Sequence, residues 1–195
     1  MSSKENAVIV GLGGVTNGGK TTICKSLKRL FTSDPYKLRV ISMHLDLYFR
    51  SPDDPNHVHL DKYNHHDWDS LHALHIDRFI EDIKSNRTKC DLLLVEGFLI
   101  FNIPLSESDE NLFDLIYYFD LPYEECLRRR LGRNYDPPDP PGYFEGHVWN
   151  ASVQAKQNVI EKFRNKQYSI VDTTVESFEK VEQRIVKGIE SLINK

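Results

Sequence analysis

The apolar run Ala7-Val8-Ile9-Val10, followed within a few residues by Gly14-Val15-Thr16-Asn17-Gly18-Gly19-Lys20-Thr21, constrains the fold more than any other feature of this chain. The run reads as a buried strand, and the second segment fits the phosphate-loop spacing G-x-x-x-x-G-K-[ST]. A phosphate chain needs many N–H donors at close range. Glycines let the backbone curl around it while a helix begun near Thr21 points its positive end inward. Lys20 is expected to reach the β- and γ-phosphates, and the Thr21 hydroxyl to ligate Mg²⁺. Residues 14–22, Thr22 included, are therefore read as the binding loop for a nucleoside triphosphate with Mg²⁺.

The rest of the chain continues the strand–helix alternation. Ile23, Leu27 and Leu30 recur at helical spacing over residues 22–31, and Asp34-Pro35 breaks that helix before a strand at 39–42. Residues 47–68 show no sustained period and read as an irregular excursion. A helix over 71–85, capped by Asp69 or Ser70, carries Leu71, Leu74, Phe79, Ile80 and Ile83 on one face, and apolar strands follow at 90–95 and 115–119. Pro122 suits a first helical position ahead of Glu124 and Glu125. A Pro-rich loop at 137–142, a helix over 148–163 and a fifth strand at 169–171 come next. Phe178, Val181, Ile185, Ile189 and Leu192 mark one face of a closing helix. The expectation is an α/β P-loop NTPase fold in three layers: a five-stranded parallel sheet flanked by helices, with right-handed crossovers. Residues 1–195 are read as a single domain carrying a small mobile lid at about 128–142.

A formal charge of −4 over 195 residues does not supply the broad basic field of a nucleic-acid binder, so a small anionic ligand in a local cationic pocket is the better expectation. Cys24, Cys90 and Cys126 are odd in number and widely spaced, and read as buried thiols. Polar residues 2–6 lead straight into a strand, and no apolar run approaches membrane-spanning length. A soluble, cytoplasmic protein is expected, with the nucleus also open to it. Nothing in the sequence fixes its oligomeric state.

Three acids follow strands at the rim where ligands of such folds sit: Asp46, Glu96 and Asp120. Phosphoryl transfer needs a base for the acceptor hydroxyl and a carboxylate near the metal. Asp46 suits the first task and Glu96 the second, while Asp120 reads as a turn acid. The run Arg128-Arg129-Arg130-Leu131-Gly132-Arg133, ahead of a Pro-rich loop, fits a lid closing over the triphosphate, with Arg128 and Arg133 as nucleotide ligands. His57, His59, His65 and His66 lack helical zinc-site spacing and read as solvated loop histidines.

Taken together, these motifs resemble the nicotinamide riboside kinases, within the wider uridine-kinase-like P-loop kinases. The resemblance rests on residues 14–22, on Asp46 with Tyr48-Phe49, on Trp68-Asp69, on Val95-Glu96-Gly97-Phe98, and above all on Arg128 through Trp149 with Tyr135-Asp136-Pro137-Pro138-Asp139. It implies ATP-dependent phosphorylation of the ribose 5′-hydroxyl of nicotinamide riboside, and of nicotinic acid riboside. Asp46 would be the base, Glu96 would stand near Mg²⁺, Asp69 and Arg130 would read the ribose hydroxyls, and Trp68 and Tyr135 would wall the nicotinamide. Phe49 and Asp136 complete the implied substrate pocket. Trp68 stands where a tyrosine is common, and Asp46-Leu47 where two acids often adjoin. A uridine or cytidine kinase is the nearest alternative. A guanine-nucleotide switch fares poorly, because Asn165-Lys166-Gln167-Tyr168 lacks the aspartate of N-K-x-D. A non-catalytic nucleotide-binding regulator remains a further reading.

Overall fold

Apolar residues alternate between the two faces of the first strand and so require a layer of helices on each side. The computed structural model describes residues 6–106, 109 and 111–193; the polar lead-in at residues 1–5 lies outside them. In chain order the elements are β1 (Val8–Gly14), α1 (Lys20–Thr32), β2 (Val40–His44), β3 (His59–Leu60), β4 (His65–His66), α2 (Ile76–Asn86), β5 (Leu92–Gly97), β6 (Leu115–Asp120), α3 (Tyr123–Leu131), α4 (Trp149–Lys162), β7 (Ser169–Asp172) and α5 (Phe178–Ile193). Five strands form one parallel sheet in the order β2-β5-β1-β6-β7, while β3 and β4 make a separate antiparallel pair. Val8, Val10 and Leu12 pack with Ile23, Leu27 and Phe31 of α1 and with Val181, Ile185 and Ile189 of α5. On the other face Ile9, Leu93 and Val95 meet Phe79 and Ile83 of α2 and Val159 of α4. This is the expected three-layer P-loop fold.

Strand register sets the site. Leu12 pairs with Glu96, and Glu96 pairs with His44, so the carboxyl ends of β1, β5 and β2 lie level at one rim. The phosphate loop grows from the central strand of the sheet.

Several local expectations are corrected. The helix read over 71–85 is interrupted: Leu71–Ala73 form a 3-10 turn and α2 begins only at Ile76. Leu74 lies between them as extended backbone, bridged to Phe49. Neither Asp69 nor Ser70 caps a helix with its side chain; Ser70 merely precedes the 3-10 turn. Pro122 is the residue before α3, with extended ψ, rather than its first helical residue. Phe178 is 38% exposed, whereas Val181, Ile185 and Ile189 are buried. His57 and His65 are buried too, against the expectation of solvated loop histidines. Edge-on packing of His57 against Trp68 and of His65 against Tyr143 covers them. Cys24, Cys90 and Cys126 are buried free thiols, as expected. No helix among the described residues is long and apolar enough to cross a membrane.

Candidate active site

At Gly14 the backbone turns with φ 121°, and a Cβ there would lie 2.0 Å from the Phe119 carbonyl oxygen, so only glycine fits between β1 and β6. Gly19, at φ 96°, precedes α1, whose first turn holds no acidic residue. The positive end of that helix therefore faces the cleft with no acidic residue of its own to offset it. Residues 16–22 line the cleft, while Gly14 and Val15 stand behind it and accept from the buried Lys20 ammonium at 3.0 and 2.6 Å. Burial pulls the Lys20 pKa down, and the carboxylates of Glu96 and Asp46 act against that pull.

The aligned strand ends gather the next group. The Thr21 hydroxyl donates to Glu96 Oε1 at 2.8 Å, and His44 Nδ1 lies 2.7 Å from the same oxygen. Asp46 follows on the 3-10 turn Leu45–Tyr48 and lines the same cleft. Its side chain meets solvent there, yet the surrounding walls raise its carboxyl above the ordinary value, chiefly through lost hydration and then through Glu96. Thr21 and Glu96 together fit Mg²⁺, a hard cation that takes one or two protein oxygens and leaves its other positions to water and phosphate. No cluster of three or more His, Cys, Asp or Glu suited to a metal occurs among the described residues.

The cleft is also lined by Phe49, Trp68, Asp69, Phe98, Arg130, Tyr135, Asp136 and Asp139. Phe49 packs edge-on to Trp68 at 5.3 Å and stacks on Phe98 at 6.0 Å. Burial pushes the Asp69 carboxyl up to about 6, with Arg130 and a hydrogen bond from Tyr143 acting in the opposite direction. Arg130, itself buried, forks onto Asp139 rather than Asp69 and lies 4.4 Å from the Tyr135 ring centre. Asp69 thus keeps lone pairs for a ligand. The Tyr135 hydroxyl donates to Asn17 Oδ1 at 3.2 Å, tying the segment after α3 to the phosphate loop.

Most of the residues singled out in the sequence meet in this one cleft, Arg133 included. Arg128 does not: its guanidinium pairs with Glu125 on the exposed face of α3, because consecutive helical residues fan about 100° apart. Arg129 braces the loop from outside, donating to the Asn17 carbonyl at 3.2 Å and to Thr173 Oγ1 at 2.9 Å. Asp120 pairs with Lys156, in keeping with a structural acid. Sequence reasoning gave no site role to His44, His65, Phe98 or Tyr143, although all four line the cleft or its walls. Of these, His44 carried a local signal, standing between a strand end and Asp46, and so did Phe98, two residues after Glu96.

A glycine loop on the central strand of a parallel sheet, a lysine and threonine at its helix, and carboxylates at the neighbouring strand ends define a P-loop kinase acting on a small molecule, with a nucleoside triphosphate as its phosphoryl donor. The family model described as an AAA domain matches residues 10–150. The fold is shared with the thymidylate kinase of Candida albicans, at 12% identity and a TM-score of 0.59 over 95% of this chain and 92% of that one. Uridine kinase of Brevibacillus brevis is 26% identical, covering 67% of this chain and 68% of its own. Nicotinamide riboside kinase 1 of Mus musculus is 34% identical over 167 residues, 77% of this chain and 79% of the mouse protein. The chain belongs to the nicotinamide riboside kinase family.

Proposed function

We propose that this protein transfers the γ-phosphoryl group of ATP directly to the ribose 5′-hydroxyl of nicotinamide riboside, and also accepts nicotinic acid riboside. One observation carries the reading: the phosphate loop, the acid Asp46, the acid Asp69 and an aromatic wall of Phe49, Trp68 and Tyr135 share one continuous cleft. Lys20 and the first turn of α1 neutralise and orient the phosphates, where positioning and charge supply most of the catalysis. Asp46 takes the proton of the attacking hydroxyl; a carboxyl raised toward neutral pH is a better base while still ionised. Thr21 and Glu96 would hold Mg²⁺, whose positive charge would offset that of the phosphates. Asp69 accepts from the vicinal ribose hydroxyls, with Arg130 fixing that end of the pocket. The pyridinium of nicotinamide riboside is a cation between electron-rich rings, an advantage that a neutral pyrimidine lacks. Arg133 and the segment around 128–142 close over the nucleotide as a lid.

The test is an assay with purified protein, ATP and Mg²⁺ against nicotinamide riboside, nicotinic acid riboside, uridine and cytidine. The highest kcat/KM is expected for nicotinamide riboside. A higher value for uridine or cytidine overturns the acceptor assignment and leaves the phosphotransfer assignment standing.

A further inference from the structure

Tyr143 belongs to none of the roles assigned so far, yet it is 0% exposed and its ring is held on several sides. It stacks on His147 at 5.3 Å and meets the rings of His65 and Tyr63 edge-on at 4.9 and 5.3 Å. Its backbone N–H donates to the Pro140 carbonyl at the end of the lid segment. The hydroxyl lies among three groups that belong to the acceptor pocket or its hairpin. It accepts from the Trp68 backbone N–H at 3.4 Å, and can donate to Asp69 Oδ2 at 3.2 Å or to the His66 carbonyl at 3.3 Å.

A phenol has one proton to give. Between a carboxylate and a neutral carbonyl the charged acceptor makes the stronger bond, so the proton goes to ionised Asp69 while the oxygen receives the Trp68 N–H. Burial and the Asp69 charge push the Tyr143 pKa far above its ordinary value, so the hydroxyl stays a donor. The neighbouring brace is independent of it: Asp67 accepts from the Asp69 N–H at 3.0 Å and from His147 at 2.8 Å.

We propose that Tyr143 is a positioning residue whose single hydroxyl holds the Asp69 carboxylate and the Trp68 backbone in fixed register, so that the ribose-reading and ring-reading groups act as one unit. The inference rests on the role of Asp69 given under Proposed function. The groups that face Asp69 are Arg130, Asp67, His147 and Tyr143. Asp67, His65 and His66 also adjoin Tyr143. Because the Tyr143 bond favours ionised Asp69, its removal leaves Asp69 holding its proton to higher pH.

The experiment compares Tyr143→Phe with the parent, keeping the ring and deleting only the oxygen. Riboside KM is expected to rise about tenfold, with ATP KM and kcat within about threefold, the loss appropriate to one hydrogen bond to a charged group. The acid limb of kcat/KM for the riboside should move to higher pH, while in Asp69→Asn only the limb set by the base Asp46 should remain. An unchanged riboside KM, or an acid limb that stays in place in Tyr143→Phe, overturns the proposal. If Tyr143→Phe does not fold, Tyr143→fluorotyrosine, a more acidic donor to Asp69, should move the acid limb to lower pH, and a limb that stays in place overturns the proposal. All of these readings hold for whichever riboside is turned over, uridine included, so failure of nicotinamide riboside as acceptor is seen separately.

Discussion

Replacing Asp69 by asparagine should make the protein more stable and a poorer enzyme. The Asp69 carboxyl rises from 3.8 to about 6, first because it is buried, with Arg130 and Tyr143 only partly offsetting that cost. Two units at about 1.4 kcal/mol each give about 3 kcal/mol as the upper bound on the penalty for keeping this charge at pH 7, and partial solvent contact lowers it toward about 1 kcal/mol. A folded-state pKa above the unfolded one means that the folded chain holds the proton more tightly. Stability is therefore lost as pH rises from about 4 to about 6, and the penalty is complete above that. Asparagine keeps the shape and an acceptor for Tyr143 without the charge. For a chain of this size about 1 kcal/mol moves Tm by roughly 2–4 °C, so Asp69→Asn should melt at least about 2 °C higher than the parent at pH 7. The gap should close toward pH 4. Calorimetric melts of both proteins from pH 4 to 8, with riboside KM measured alongside, make the test. A variant that melts below the parent at pH 7, or a gap independent of pH, refutes the reasoning.

Lys20→Ala should lose most activity even at saturating ATP, since the phosphates lose their buried charge partner; near-normal kcat in a steady-state assay would contradict this. Asp46→Asn should keep the fold and ATP binding while kcat falls about 10²- to 10⁴-fold, with KM changing less. A kcat within about threefold of the parent would demote Asp46 to a structural role. Tyr135→Leu should cost nicotinamide riboside about 0.5–2 kcal/mol more in kcat/KM than uridine, and equal losses would mean that the ring does not read the pyridinium charge.

Most of the sheet and the phosphate loop could be read from residues alone, because continuous apolar runs and a glycine-rich turn are local signals. The misreadings have non-local causes. Leu71 and Leu74 keep helical spacing, but Leu74 is drawn into extended backbone by Phe49, a partner 25 residues earlier. His65 looks like a surface histidine until Tyr143, far along the chain, covers it. In the arginine run only helix geometry separates Arg130, which enters the cleft, from Arg128, which does not. Tyr143 is one aromatic among nine tyrosines, and nothing near it in sequence announces that its hydroxyl meets Asp69.

The Phe49–Leu74 bridge has a consequence for how such enzymes can diversify. Arg50 N–H donates to the Ala73 carbonyl at 2.7 Å and His75 N–H to the Tyr48 carbonyl at 2.8 Å, so both ends of the intervening segment are pinned together at a narrow neck. Residues 51–72 hang from that neck as a cassette. Asp46 lies before it and α2 after it, and the entropy of closing such a loop grows only slowly with its length. The neck lets the cassette change length at little cost to the phosphate-transfer corner, but Tyr143 grips it at Trp68 and Asp69, so a graft of the cassette has to bring a compatible partner at position 143 with it.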